Sequence, residues 1–313
     1  MLTTVTANPC VDLTLFVRDF KKGATNRPVF SVHEAAGKGV NVARAYRALG
    51  GESFCTGFDF SEGETSLLER ALAAESMPHE FVPVSGKLRT CVKIFDETNA
   101  EMTEVNESGG EVSPRDEAAL LSLIASAAEK SEFLSLSGSL PRGVSPDFYA
   151  RAIAAARAAA PRCRIAVDAA GETLGAALAA APDLIKPNES EFCALFGIPA
   201  EPGEIVKAAS ALTESGKAGA VCVSMGERGA YLAFRDAAYF CPAPRVTVRS
   251  LQAAGDAMLA GLIFAATRGE APEKWLLFGT AMAGATVSRP GSEIGRREEA
   301  KALFAGLSVE KIR

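Results

Sequence analysis

From residue 115 onward the chain alternates helical and extended patterns almost without a break, and this alternation limits the folds open to it. Helical spacing over 115–129 leads into Phe133-Leu134-Ser135-Leu136, and over 145–159 into Ile165-Ala166-Val167. Helices at 171–180, at 188–196 and at 202–215 flank Leu184-Ile185 and precede Val221-Cys222-Val223. A hairpin near 230–241 and helices at 255–268, 272–288 and 296–306 complete the pattern. Short apolar strands separated by helices predict a parallel sheet covered on both faces.

The first third reads differently. Leu2–Ala7 is a buried strand stopped by Asn8-Pro9, with Asp12 just beyond. Ala35-Ala36-Gly37-Lys38-Gly39-Val40-Asn41 is a small-residue loop running into a helix that Gly50-Gly51 ends. A strand at 53–57 and a helix at 63–75 follow. Arg89–Asp96 and Glu101–Asn106 then alternate with period two, as in a hairpin with one wetted face. With residues 13–32 this hairpin predicts a small second sheet. No Pro/Ser linker sets it apart, so the expectation is one domain over 1–313, with lid segments at about 13–32 and 86–107 inserted over a site.

In a parallel sheet the carboxyl ends of the strands share one edge. Here those ends run into Ser137-Gly138-Ser139-Leu140-Pro141, Asp168-Ala169-Ala170-Gly171, Lys186-Pro187-Asn188-Glu189-Ser190-Glu191 and Ser224-Met225-Gly226-Glu227-Arg228-Gly229. Ser250–Met258 adds a second small-residue loop that becomes a helix at about Gly255. The free amides of a first helical turn, with the positive end of the dipole, form an anion site. Asp256 sits in that turn, either as a cap or as the acceptor of a proton from a hydroxyl attacking the anion.

Composition removes several alternatives. A net charge of −5 argues against a nucleic-acid binder and requires local cations for any anionic substrate. The seven cysteines are scattered, without C-x-x-C, as expected of reduced thiols in a cytoplasm. Two histidines make a His-based metal site or a Ser-His-Asp triad a poor fit. No secretory leader and no apolar run of bilayer length is read. Neither G-x-x-x-x-G-K-[ST] nor G-x-G-x-x-G occurs.

Two long signatures, Ala36-Gly37-Lys38-Gly39-Val40-Asn41-Val42-Ala43-Arg44 and Ala253-Ala254-Gly255-Asp256, resemble those of the ribokinase-like (PfkB) carbohydrate kinases. The likeness extends over nearly the whole chain. Asn8-Pro9-x-x-Asp12, Arg89-Thr90-x-Val92-Lys93, Thr103-Glu104-Val105-Asn106, Ser137–Pro141, Gly143–Pro146 and Lys186-Pro187-Asn188-x-x-Glu191 look most like the branch of 1-phosphofructokinases and tagatose-6-phosphate kinases. The resemblance implies a three-layer αβα sandwich with a β-sheet lid. It also implies ATP- and Mg²⁺-dependent phosphorylation of a ketohexose phosphate, with fructose 1-phosphate the first expectation and tagatose 6-phosphate or another sugar the alternative. A regulator that binds sugar phosphate without turnover is a rival of a different class.

Carried over residue by residue, the resemblance makes Asp256 the base and the amides of Ala253, Ala254 and Gly255 the anion hole. Asp12, Gly37, Lys38, Asn41 and Ser139 would hold the sugar; Lys38, Arg89 and Arg27 would meet its phosphate. Lys186, Asn188, Ser224, Gly226 and Gly229 would contact the nucleotide, with adenine near Gly291-Ser292. Glu191 and Asn188 would organise Mg²⁺, largely through water. Plain alternatives stay open: a solvated Lys38, a sheet-surface Arg89, and a capping pair of Asn188 and Glu191. A homodimer through the apolar face of the lid, with Val92 and Ile94, is also expected. The chain departs from the family at Ala253, where glycine is usual, at Leu251-Gln252, at Ala169-Ala170, and at Cys91, where the branch often has asparagine.

Overall fold

The computed structural model describes residues 1–61 and 66–313. The strands are β1 Leu2–Thr6, β2 Cys10–Val17, β3 Phe30–Ala36, β4 Ser53–Phe60, β5 His79–Val84, β6 Arg89–Asp96, β7 Glu101–Asn106, β8 Phe133–Ser137, β9 Arg164–Asp168, β10 Leu184–Ile185, β11 Ala220–Ser224, β12 Ala230–Phe234, β13 Ala237–Cys241 and β14 Glu310–Lys311. The helices are α1 Lys38–Ala48, α2 Leu67–Ala74, α3 Pro114–Ala128, α4 Phe148–Ala159, α5 Gly171–Ala177, α6 Glu189–Phe196, α7 Pro202–Glu214, α8 Ala254–Thr267, α9 Pro272–Val287 and α10 Arg297–Gly306.

The main sheet has the order β14-β13-β12-β11-β10-β9-β8-β1-β4-β5. From β11 to β5 every pairing is parallel, and β12, β13 and β14 are added antiparallel at one edge. Strand alternation sends side chains to both faces. Leu134, Leu136, Ile165 and Val167 pack under α3, α4 and α6 with Ile124, Phe148 and Phe192. Leu2, Phe133, Ala166 and Leu184 pack under α1, α8 and α9 with Tyr46, Ile263 and Leu276. The result is the three-layer αβα sandwich, its central strands buried on both sides.

The second sheet runs β3-β2-β6-β7, with β2 parallel to β6 and the outer pairs antiparallel. It begins at Cys10 rather than 13, and its second segment begins at Arg89 rather than 86. Two strands went unseen in the sequence. β5 precedes the alternating segments and carries Pro83; it is an edge strand, which is where that proline is tolerated. β14 has two residues and no pattern to read. The helix expected at 63–75 falls partly outside the described residues; its described part, α2, is capped by Ser66 Oγ, which accepts from the Glu69 amide at 3.0 Å.

Candidate active site

Strand order reverses on either side of β1, and β1, β8, β9, β10 and β11 all point their carboxyl ends to one edge. A cleft of about 1840 Å³ opens there, lined by Thr6, Ser137, Gly138, Lys186 and Ser224 from those ends and by Asp12, Cys91 and Lys93 from the lid. Sites for one small ligand are usually about 300–1,000 Å³, so this one has room for two substrates.

The tip of α8 forms its centre. Ala253 takes a left-handed conformation, φ 55°, and turns the chain into the helix. The first helical hydrogen bond runs from the Ala257 amide to the Ala253 carbonyl at 2.8 Å, so the amides of Ala254, Gly255 and Asp256 lie ahead of it. Among the described residues the N-cap, Ala253, offers no side-chain cap bond, and the Asp256 carboxylate is bonded to Asn41. It is 6% exposed, and its Oδ2 accepts from Asn41 Nδ2 at 2.9 Å. Burial pushes its pKa up to about 6, against the pull of the Lys38 ammonium. Among the described residues Asn41 Oδ1 is buried without a hydrogen-bond partner.

Asp168, at the end of β9, joins two cations. Its Oδ1 accepts from Lys38 Nζ at 3.2 Å and its Oδ2 lies 3.4 Å from Lys186 Nζ. Burial alone would raise the Asp168 carboxyl; the two ammonium groups outweigh it and hold it low. The same carboxylate raises the Lys38 pKa, so that lysine stays charged. A methyl group on Gly255 would stand 3.2 Å from Lys186 Nζ, which places this cation at the helix tip. Gly37 and Gly39 serve packing: a Cβ on either would collide with Thr6, at 2.4 and 2.5 Å. They let α1 start against the end of β1, and Lys38 between them reaches the cleft.

Several expected residues do converge. Gly37, Lys38, Asn41, Ser139, Arg89, Asp12, Lys186, Asn188, Glu191, Ser224, Gly226, Gly229 and residues 253–256 all line the cleft. Asp12 is 3% exposed and pairs with Lys93 Nζ at 2.7 Å. Arg89 is no surface charge: it donates to the carbonyls of Asn8, Pro9 and Glu107. Asn188 and Glu191 form a capping box on α6, Asn188 Oδ1 accepting from the Glu191 amide at 2.8 Å and Glu191 Oε2 from the Asn188 amide at 2.9 Å. The box leaves Glu191 one carboxylate oxygen at the cleft, enough to hold a hydrated hard ion through water.

Two expected residues are not brought in. Arg27 is exposed in the connection from β2 to β3, away from the cleft, in a loop braced by Asn26, which bonds both the amide and the carbonyl of Lys21. Gly291 is buried outside the cleft lining, because Glu34 of β3 draws the segment to itself through Ser292 Oγ at 2.6 Å. The wall on that side comes instead from Thr280, Ala283, Gly284 and Val287 of α9. Lys93, Gln252 and Asp168 also bear on the site, although the motifs that contain them assign them no role there. Lys93 Nζ lies 3.3 Å from Gln252 Oε1, and Gln252 Nε2 donates to Thr14 at 2.9 Å, tying the lid to the loop before α8. The period-two pattern of β6 already puts position 93 on the face of 91 and 95; register with Asp12 was the missing fact.

The family model for pfkB family carbohydrate kinases matches residues 5–299. A 1-phosphofructokinase of Rhodobacter capsulatus is 34% identical over 312 residues, 99% of this chain and 98% of the relative. One of Escherichia coli K12 is 33% identical over 311 residues, again 99% and 98%. A solved structure of phosphofructokinase-2 from Escherichia coli, in complex with potassium, superposes with a TM-score of 0.88 at 28% identity, covering 97% of this chain and 98% of that one. The chain belongs to the pfkB family of carbohydrate kinases.

Proposed function

We propose that this pfkB-family kinase transfers the terminal phosphoryl group of ATP to fructose 1-phosphate, giving fructose 1,6-bisphosphate. The observation that carries the reaction is the buried Asp256 carboxylate at the helix tip, with Lys38 and Lys186 beside it. The substrate reading is supported by full-length relatives that are 1-phosphofructokinases.

In this reading the Asp256 carboxylate accepts the proton of the attacking 6-hydroxyl. The new O–P bond forms as the bond to the ADP oxygen breaks, and ADP leaves with that electron pair. Asn41 fixes the carboxylate by its 2.9 Å bond. The amides of Ala253, Ala254 and Gly255 and the Lys186 ammonium meet the charge on the phosphoryl oxygens, the main requirement of such a transfer. Asp168 keeps both lysines charged and in place. Asp12, Gly37, Asn41 and Ser139 orient the sugar, while Lys38 and Arg89 hold its phosphate. Lys186, Asn188, Ser224, Gly226 and Gly229 hold the nucleotide. Mg²⁺, when bound, offsets phosphate charge; Glu191, helped by Asn188, would keep it there through water.

The chain acts as one catalytic unit with its lid. The lid's outer face carries Leu13, Val92 and Val105 in one row of the register, Val105 being 61% exposed. That face pairs two copies into a homodimer. Among the described residues no helix is long and apolar enough to cross a membrane. All seven cysteines are free, which supports a cytoplasmic setting.

ADP release from purified protein with ATP, Mg²⁺ and a panel of sugar phosphates tests the reading. The expected result is the highest kcat/KM with fructose 1-phosphate. Preference for tagatose 6-phosphate or fructose 6-phosphate would reassign the substrate, and binding without ADP would make the protein a regulator.

A further inference from the structure

Two buried thiols in the cleft, Cys10 and Cys91, are left unused by the proposed chemistry, and both stand beside Asp12. The Sγ atoms of Cys10 and Cys91 and a carboxylate oxygen of Asp12 all lie within 4.8 Å of one another. All three residues are buried and line the cleft, and both thiols are free. The lid register makes the cluster: Cys10 stands opposite Arg89 and Asp12 opposite Cys91, so alternation sends positions 10, 12 and 91 to one face. Cys10 Sγ donates to Asp12 Oδ1 at 3.3 Å, while Oδ2 faces Lys93.

We propose that Cys10, Cys91 and Asp12 form a site for a thiophilic divalent cation of the Zn²⁺ class, and that this ion and the sugar substrate exclude each other. Two sulfurs, one carboxylate and a fourth position open to the cleft are a ligand set for such an ion, with a route in. Bonds of about 2.3 Å in tetrahedral geometry put the two sulfurs about 3.8 Å apart, a small contraction from what the cluster permits. A disulfide suits the positions less well. The two cysteines are diagonal neighbours in the parallel β2–β6 register, two residues along at about 3.3 Å each and one strand spacing of about 4.8 Å across, so their Cα atoms stand roughly 8 Å apart, beyond the usual span of about 4.4–6.8 Å.

Charge also fits. Three anionic ligands exceed the charge of the ion by one, and the Lys93 ammonium, 2.7 Å from Asp12, supplies the difference. On binding, the ion replaces both thiol protons, which leave to solvent, and no electron is transferred. The exclusion of sugar rests on the role assigned to Asp12 under the proposed function; ion binding does not.

Titration of chelator-treated full-length protein with Co²⁺ tests the site, since thiolate ligands give a charge-transfer band in the near ultraviolet. The expected result is about one Co²⁺ per chain with that band, Zn²⁺ displacing it, and a loss of at least ~10-fold in affinity in both Cys10→Ala and Cys91→Ala. Circular dichroism checks that the variants fold. Absence of the band in wild type, or its persistence in both variants, overturns the site; persistence would move the ion to another thiol such as Cys193, which is only partly buried. The wild-type titration needs no variant. Fructose 1-phosphate should bleach the band; a band that survives saturating sugar overturns the exclusion. The ADP assay on the same sample shows whether that sugar is turned over, so a wrong substrate assignment is read separately.

Discussion

Burial lifts the Asp256 carboxyl from 3.8 to about 6, so the ionised form that a base must use is the form the fold disfavours. The unfolded chain releases this proton near its ordinary value and the folded chain near 6. Between the two, the folded state holds the extra proton, so stability declines as pH rises through that window and stays lower above it. At ~1.4 kcal/mol per unit the full difference is roughly 3 kcal/mol, an upper bound given the cations nearby. Asp256→Asn should therefore be more stable by about 1–3 kcal/mol at pH ~8 in urea unfolding, with the gain gone below pH ~4. The same substitution should cut kcat by ~10³ or more while sugar and nucleotide still bind. In wild type, kcat/KM should fall on the acid side of about 6, where the base is protonated. Ala253 carries a different strain. A left-handed alanine costs roughly 1–2 kcal/mol, partly offset by the smaller unfolded-state entropy of alanine, so Ala253→Gly should gain about 0.5–1 kcal/mol by thermal melting. The departure at 253 was plain in the sequence, but the positive φ that gives it meaning was not.

At the level of elements, α8 and α9 pack closely because position 261 has no side chain. A Cβ there would stand 2.5 Å from the Phe278 carbonyl oxygen, which belongs to backbone and cannot swing aside. Gly261→Val should cost at least ~2 kcal/mol and displace the helix tip, so melting temperature and kcat should fall together. Most elements were legible in the sequence because their signals are local: apolar runs for strands, a 3-4 spacing and a Ser or Asn cap for helices such as α3 and α6. The cleft lining was legible wherever a residue sits at a strand end or a helix start, as with Lys186, Asn188 and Asp256. What stayed hidden depends on which strand lies beside which. Lys93 needs β6 next to β2 to meet Asp12, and Asp168 needs β9 between β8 and β10 to meet two lysines. The place of Gly291 was hidden for the same reason: its neighbour Ser292 bonds Glu34 of the lid, distant in sequence, and Gly291 lies outside the cleft lining.

For the whole molecule, the proposed reaction needs the lid and the main sheet together. Cleft residues come from both sheets, and Gln252 joins the lid to the loop before α8. Pairing of lids would fix their position over the cleft. Light scattering should give the mass of a dimer, and Val105→Glu, which puts a charge on the most exposed apolar residue of the outer face, should shift it toward monomer. Lys93 links the two levels: Lys93→Met leaves the Asp12 charge buried and unpaired, at a cost of about 3–5 kcal/mol and with a weakened hold of lid on body. In the proposed reaction all of this arranges two substrates around one helix tip. A crystal structure with fructose 1-phosphate and a non-hydrolysable ATP analogue measures that arrangement directly. The expected result is an Asp256 carboxylate oxygen within about 2.6–3.2 Å of the sugar 6-hydroxyl, with the amides of Ala254 and Gly255 on the terminal phosphate. A closed complex with residue 256 distant from that hydroxyl, or the terminal phosphate bound elsewhere, would contradict the account.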